Sequence, residues 1–203
     1  MSLYQKIFAH GLALGDDAQH RVYADRKQEM FADLSGTVVE IGPGTGVNIP
    51  YLPDGIRWLG LEPNLHMHDF LRKKLGDRDI DAEILERSIQ ESGLADASAD
   101  FVISTLVLCS VPDVPAAIAE IRRILKPGGS FLFIEHVAAP PGDWLRVVQS
   151  GIRPVWRPLG DGCCPDRDTG KMIEEAGFSS VEYETFRTGL PVVSPHIAGR
   201  AVR

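Results

Sequence analysis

Three glycines at alternate positions, Gly42, Gly44 and Gly46, lie in the segment EIGPGTG that starts at Glu40. Glycine turns the chain sharply and lets a ligand approach the backbone without meeting a Cβ. A dinucleotide site spaces its glycines G-x-G-x-x-G, the last admitting close helix packing beneath a pyrophosphate. Here the spacing is G-x-G-x-G, and Pro43 removes one backbone NH, which makes a phosphate cradle less attractive. Glu62, in LGLEP and followed by Pro63, comes 16 residues after Gly46, where a carboxylate can accept from both hydroxyls of a ribose. The bland alternatives are a glycine turn that merely links strand to helix and a solvated carboxylate at a strand end. The order of strand, glycine turn, second strand and acid favours the ribose.

These groups need a scaffold. From Thr37 onward, short β-branched runs alternate with segments of helical period, the pattern of a parallel sheet covered on both faces. Strands are expected at 37–41, 57–61, 82–86, 101–105, 130–137, 181–186 and 196–202, and helices at 65–75, 115–125 and 169–176. The helices stop at Gly76, at Lys126-Pro127-Gly128-Gly129 and at Gly177. Residues 19–34 read as an extra amphipathic helix, so that 1–34 form a helical extension or lid. Residues 138–168, with Pro140, Pro141, Pro154, Pro158 and Gly160, predict an irregular insertion of broken helical turns rather than one long helix. Open parallel sheets bind ligands at the carboxyl ends of their strands. That rule gathers Glu40, the glycine turn, Glu62 and Pro63 with Ser88 and Ile89 beyond strand three and Thr105 and Leu106 at the tip of strand four. Ile89 is placed to offer its NH to an adenine ring and its side chain to the ring face, with Ser88 near the exocyclic amine.

Composition narrows the partners. At 203 residues and 44% hydrophobic, the chain is expected to be one domain, 1–203, able to bury a full core. No run of about 18 apolar residues occurs, so a transmembrane segment is not expected. The first residues make a poor secretory signal, and the cytoplasm is the expected compartment. The net charge of -7 and the absence of a basic run beyond Arg72-Lys73-Lys74 disfavour nucleic acid. Three cysteines, two of them adjacent at Cys163-Cys164, make no disulfide framework, and reduced thiols are expected. Neither CxxC nor HxxxH is present, and no metal site is expected.

EIGPGTG, LGLEP, DFVIS and LKPGG, in that order between about Val38 and Glu135, resemble the class I methyltransferases. The resemblance implies an α/β, Rossmann-like fold with a seven-stranded, mostly parallel sheet whose last strand is antiparallel and helices on both faces. It also implies bound S-adenosylmethionine, its methionine half facing the tip of strand four, and one-carbon transfer. Further segments are not generic to that superfamily: TLVLCSV at 105–111, LKPGG running on to EHVA at 135–138, DGC at 161–163 and PHIAG at 195–199. Together they look like the methyltransferase-like seven family, whose animal members are membrane-associated alkyl thiol methyltransferases. The similarity reaches from about Tyr23 to the carboxyl terminus and implies a small-molecule acceptor, an alkyl or hydrophobic thiol first. The animal proteins carry a hydrophobic amino-terminal anchor, whereas about 20 mixed residues precede the similarity here, so membrane residence is not carried over and peripheral contact alone stays open. Cys164, directly after the family-like Cys163, departs from the pattern and receives no role.

Methyl transfer from a sulfonium is an in-line displacement to which a protein contributes alignment and a dry pocket. A thiol with a pKa near ~8.5 is already partly ionised at neutral pH, and a nearby proton acceptor raises that fraction. His136, at the end of strand five, and His196, at the start of strand seven, are the candidate bases. A histidine donating to a carbonyl at a strand end is as good a reading for His136 and the better one for His196. Trp144, Leu145, Val148 and Trp156 are expected to wall the acceptor pocket. The competing readings are a phospholipid headgroup or other N- or O-methyltransferase, and a cofactor-binding protein without turnover. A nicotinamide oxidoreductase is disfavoured by the glycine spacing.

Overall fold

The computed structural model of the chain describes residues 3–76 and 78–203. Seven strands form one sheet in the order β3-β2-β1-β4-β5-β7-β6. Their ranges are β1 Thr37–Ile41, β2 Arg57–Leu61, β3 Asp81–Leu85, β4 Ala99–Thr105, β5 Leu125–His136, β6 Ser180–Arg187 and β7 Pro195–Val202. β1 pairs in parallel with both β2 and β4, so the strand order reverses between β1 and β4 and a crevice opens there at the carboxyl ends. β7 runs antiparallel between β5 and β6. The sheet is the class I arrangement expected from the sequence.

The chemistry of the strands follows from their places. β1 (TVVEI) and β2 (RWLGL) are central and buried beyond their first residue, and a run of large apolar side chains on both faces suits that position. β3 (DAEIL) is an edge, and Asp81 and Glu83 face solvent, where they pair with Arg57. On one face Val39, Ile41, Val102, Phe131 and Phe133 pack against the helix α4 (Val114–Ile124) and against Ile173 of α6 (Thr169–Glu174). On the other, Val38, Trp58, Ile103 and Leu132 pack against Phe31 of α2 (Asp16–Phe31) and Leu71 of α3 (Leu65–Leu75). α3 and α4 begin at Asn64 and Asp113, whose side chains accept from the NH of His66 and Ala116.

Three expectations need correction. The amino-terminal region holds two helices, α1 (Leu3–Leu14) and α2, where one at 19–34 was expected; Ala9 of α1 is buried, and Phe8 and Leu12 turn to the body of the protein while Leu3, Ile7 and Leu14 stay exposed. β5 starts at Leu125, so the Lys126–Gly129 stretch that was read as a helix stop belongs to the strand, with Gly128 at φ +78 and a register shift opposite Ala99 and Phe101. Residues 144–159 form one helix, α5 (Trp144–Leu159), despite Pro154 and Pro158. Both prolines are exposed, as is Ser150. A carbonyl left without an NH partner on this exposed stretch has water within reach, which limits the cost of a proline inside the helix.

Candidate active site

A cavity of about 430 Å³ lies at the crevice, inside the roughly 300–1,000 Å³ range of small-molecule sites. Gly42, Gly44, Glu62, Pro63, Ser88 and Ile89 line one end. Leu106, Cys109, His136, Trp156 and Cys163 line the other, and Phe8 and Leu12 of α1 contribute to the wall.

At the first end the glycine turn is sterically specified. Gly42 and Gly44 sit at φ +54 and +56, and a Cβ on Gly42 would stand 2.9 Å from Val107 Cγ1. Glu62 is 6% exposed. Its Oε2 accepts from the Gly44 NH at 2.9 Å and its Oε1 from the Asn64 NH at 2.8 Å. Burial raises its carboxyl above the usual range, and the two NH donors oppose that rise. Each oxygen keeps acceptor capacity for a diol, so these residues fit the sugar of an adenosyl group.

Glu40, Gly46 and Thr105 stand outside the cavity and serve the turn from behind. Glu40 is wholly buried, accepting from Asn48 Nδ2 and Trp58 Nε1, each at 2.9 Å. Asn48 Nδ2 also donates to Thr105 Oγ1 at 3.0 Å. Gly46, at φ +81, is where a Cβ would stand 2.7 Å from Ile49 Cδ1. The Lys27 ammonium, buried near Glu40 and 3.4 Å from Val47 O, has its pKa lowered to about 8 by burial. These groups position the glycine loop without reaching the ligand's space.

At the second end, the chain after β4 turns through Leu106, a non-glycine residue at φ +59. The turn is held by Glu135, a fully buried carboxylate whose Oε1 accepts from the NH of Val107 at 3.1 Å, the NH of Leu108 at 3.2 Å and the Ser104 hydroxyl. Cys109 is thereby presented to the cavity. His136, one residue beyond Glu135, places Nε2 3.1 Å from Cys163 Sγ, and Trp156 Nε1 donates to the same sulfur at 3.3 Å. The Cys109 thiol, which donates to Leu106 O at 3.5 Å, is pushed well up in pKa by its neighbour Cys163 and by burial, while Cys109 and His136 hold the Cys163 thiol well below its usual value.

His196 is not at the cavity. Its Nε2 pairs with Tyr23 Oη at 2.8 Å and its Nδ1 with Ser194 O at 3.0 Å, and burial lowers its pKa to about 4. With both nitrogens engaged it is a core histidine. Of the four expected pocket walls, Trp156 alone lines the cavity; Trp144 and Val148 project from α5 to solvent and Leu145 is buried in packing. Sequence reading missed Asn64, Met67 and Cys109 as lining residues and Glu135 as the brace; Cys109 and Glu135 lay in TLVLCSV and EHVA, the segments that set this chain apart from the generic fold.

The sheet order, the buried acid beyond β2 and the glycine turn together fit an S-adenosylmethionine-dependent methyltransferase, and residues 39–133 match the family described as Methyltransferase domain. The chain is 37% identical to human thiol S-methyltransferase TMT1B over 99% of its own length and 88% of that protein's. It is likewise 37% identical to human thiol S-methyltransferase TMT1A, covering 89% of this chain and 79% of that one. A SAM-dependent methyltransferase from Thermotoga maritima has the same fold with a TM-score of 0.71, at 21% identity over 98% of this chain and 97% of its own. The chain belongs to the thiol S-methyltransferase family of TMT1A and TMT1B.

Proposed function

We propose that this enzyme methylates the sulfur of a small, largely apolar thiol. One observation carries the reading: the diol-facing Glu62 and the sulfur and imidazole wall of Cys109, His136 and Cys163 are parts of a single cavity whose other walls are mostly apolar. The bound cofactor supplies an electrophilic methyl on a sulfonium. The chain supplies the rest. Glu62 and the glycine turn fix the adenosyl end, Leu106 and Val107 shape the middle, and Phe8, Leu12 and Trp156 exclude water from the reacting sulfurs. The acceptor sulfur would sit against the cysteine and histidine wall, give up its proton to His136 or to solvent, and meet the methyl carbon in line. The new carbon–sulfur bond forms as the sulfonium bond breaks. Turnover with a panel of alkyl thiols, amines and phenols, read as S-adenosylhomocysteine formed, tests this. Methyl transfer to thiols is expected; transfer to amines or phenols alone would refute it.

The cytoplasm fits three free cysteines. No helix among the described residues is long and apolar enough to cross a membrane. Trp144, Val147, Val155 and Leu159 of α5 and Leu3, Ile7 and Leu14 of α1 nonetheless expose large apolar side chains, and the Tyr4 hydroxyl ties the two helices at Leu159 O. Peripheral contact with a bilayer through these helices would bring apolar thiols to the cavity. Flotation with neutral vesicles is expected to recover the wild type and to lose a Trp144→Ser, Val155→Ser, Leu159→Ser variant.

A further inference from the structure

Cys109, His136 and Cys163 are 27 residues or more apart wherever two are compared, yet a ligand atom from each lies within 4.8 Å of the other two. Each comes from a separate segment: the turn after β4, the end of β5 and the loop after α5. The segments are locked together. The Cys164 NH donates to Cys109 O at 2.9 Å, and Gly162, at φ +88, packs where a Cβ would stand 3.1 Å from Ser110 O.

We propose that these three side chains hold a zinc ion whose fourth position opens into the cavity and takes the sulfur of the acceptor thiol. The proposal rests on the thiol reading above and deepens it. Two thiolates and an imidazole are a borderline-soft donor set that selects zinc over magnesium or calcium, and three protein ligands with one open position mark a catalytic zinc site. Zinc–sulfur and zinc–nitrogen lengths of about 2.3 and 2.0 Å at tetrahedral angles set the donors roughly 3.5–3.8 Å apart. The 3.1 Å between His136 Nε2 and Cys163 Sγ therefore opens by only a few tenths of an ångström. Either ring nitrogen of His136 is available: Nε2 faces Cys163, and Nδ1 is buried with no hydrogen-bond partner among the described residues. A fourth sulfur is near in sequence, but Cys164 Sγ turns to Gly162 O and Arg167, each at 3.5 Å, so the open side is left to the cavity that the other three line. Trp156 Nε1 donates to Cys163 and supplies the outer hydrogen bond that a zinc-bound thiolate receives.

The chemistry balances. The incoming thiol binds the open position and releases one proton to solvent, because a coordinated thiol is deprotonated. The bound sulfur forms its bond to the methyl carbon as the sulfonium carbon–sulfur bond breaks, releasing S-adenosylhomocysteine. The neutral thioether is a poor ligand and leaves. His136 is then a ligand and not a base. CxxC and HxxxH describe ligands on one local element, whereas these three come from separate segments.

The test uses the full chain, reduced with a phosphine and stripped of metal, titrated with cobalt(II). One equivalent is expected to give the sulfur-to-cobalt charge-transfer band and the intense visible bands of a tetrahedral site, displaced by zinc and shifted by an added alkyl thiol. Cys109→Ser, Cys163→Ser and His136→Ala are each expected to weaken binding by at least roughly the 10–100-fold that loss of an outer-shell partner costs, and Cys164→Ser to leave it unchanged. The wild-type spectrum does not depend on any variant folding. No such bands at saturating cobalt, or bands that persist in Cys109→Ser and Cys163→Ser, would overturn the site. Bands indifferent to thiol would overturn the open position. Thiol methylation by the metal-free enzyme, with no cobalt spectrum, defeats the zinc and leaves the thiol reading standing; a cobalt site with no thiol turnover does the reverse.

Discussion

The two ends of the cavity are built in opposite ways. The adenosyl end comes from the tips of consecutive strands, and its parts are short-range: a carboxylate just beyond β2, a glycine loop after β1 and a turn after β3. The acceptor end is assembled from Cys109, His136, Trp156 and Cys163 by a braced, positive-φ turn, a strand end and the loop beyond a long helix. Common chemistry is thus held by local geometry, and the specific chemistry by tertiary packing. Changes at the two ends should separate binding of the cofactor from turnover of the acceptor.

The largest separation is expected from Glu62→Ala. Losing two charge-assisted hydrogen bonds worth about 1.5–3 kcal/mol each should weaken S-adenosylhomocysteine by at least roughly 100-fold in calorimetry, alongside a lowered melting temperature of the free protein from the Gly44 and Asn64 NH groups left unpaired. Unaltered affinity would show that the diol lies elsewhere. At the other end, Cys163→Ser should lower kcat/KM for an alkyl thiol by about 100-fold while leaving the Kd for S-adenosylhomocysteine as it was. A parallel loss of cofactor affinity would mean that the two ends are one mechanical unit.

A smaller effect concerns the wall behind the acceptor end. Burial holds the folded-state pKa of His196 at about 4, below an unfolded value near 6.5. Between these values the unfolded chain binds a proton that the folded chain refuses, so stability is full above about 6.5 and declines as pH falls towards 4. Urea titrations across that window should lose on the order of 2 kcal/mol, and His196→Gln should flatten the slope. The smallest effect belongs to the cover that spans both ends. Tyr4→Phe removes the hydroxyl that donates to Leu159 O at 3.3 Å and accepts from the Asp161 NH at 3.0 Å, costing about 1 kcal/mol. Proteolysis within α1 should rise a few-fold and be suppressed by cofactor; indifference to cofactor would make α1 a fixed wall and not a lid.

The same contrast explains what was legible in the sequence. Strand positions, the class of fold and the cavity-lining residues Gly42, Gly44, Glu62, Ser88 and Ile89 could be read because each is announced by a run of neighbours with a fixed place in a parallel sheet. Glu40 was readable as part of that run, but strand alternation turns it to the opposite face, where Trp58 and Asn48 hold it. His136 and His196 looked alike in sequence, and they are register partners on β5 and β7. One side chain reaches the cavity and the other is held by Tyr23 and Ser194. Proline counting misjudged α5, since the cost of a proline depends on whether the freed carbonyl meets water, and that is fixed by which face is packed. Cys109 and Glu135 carried no local signal beyond their family-like segments, because a brace and a donor from different strands acquire meaning only through their contact.

A crystal structure with S-adenosylhomocysteine and an apolar thiol tests the central claim most directly. The ribose hydroxyls should lie on the Glu62 carboxylate, and the thiol sulfur should stand between the homocysteine sulfur and the cluster of Cys109, His136 and Cys163. A nucleoside bound away from Glu62, or a homocysteine sulfur pointing away from those three side chains, would contradict it.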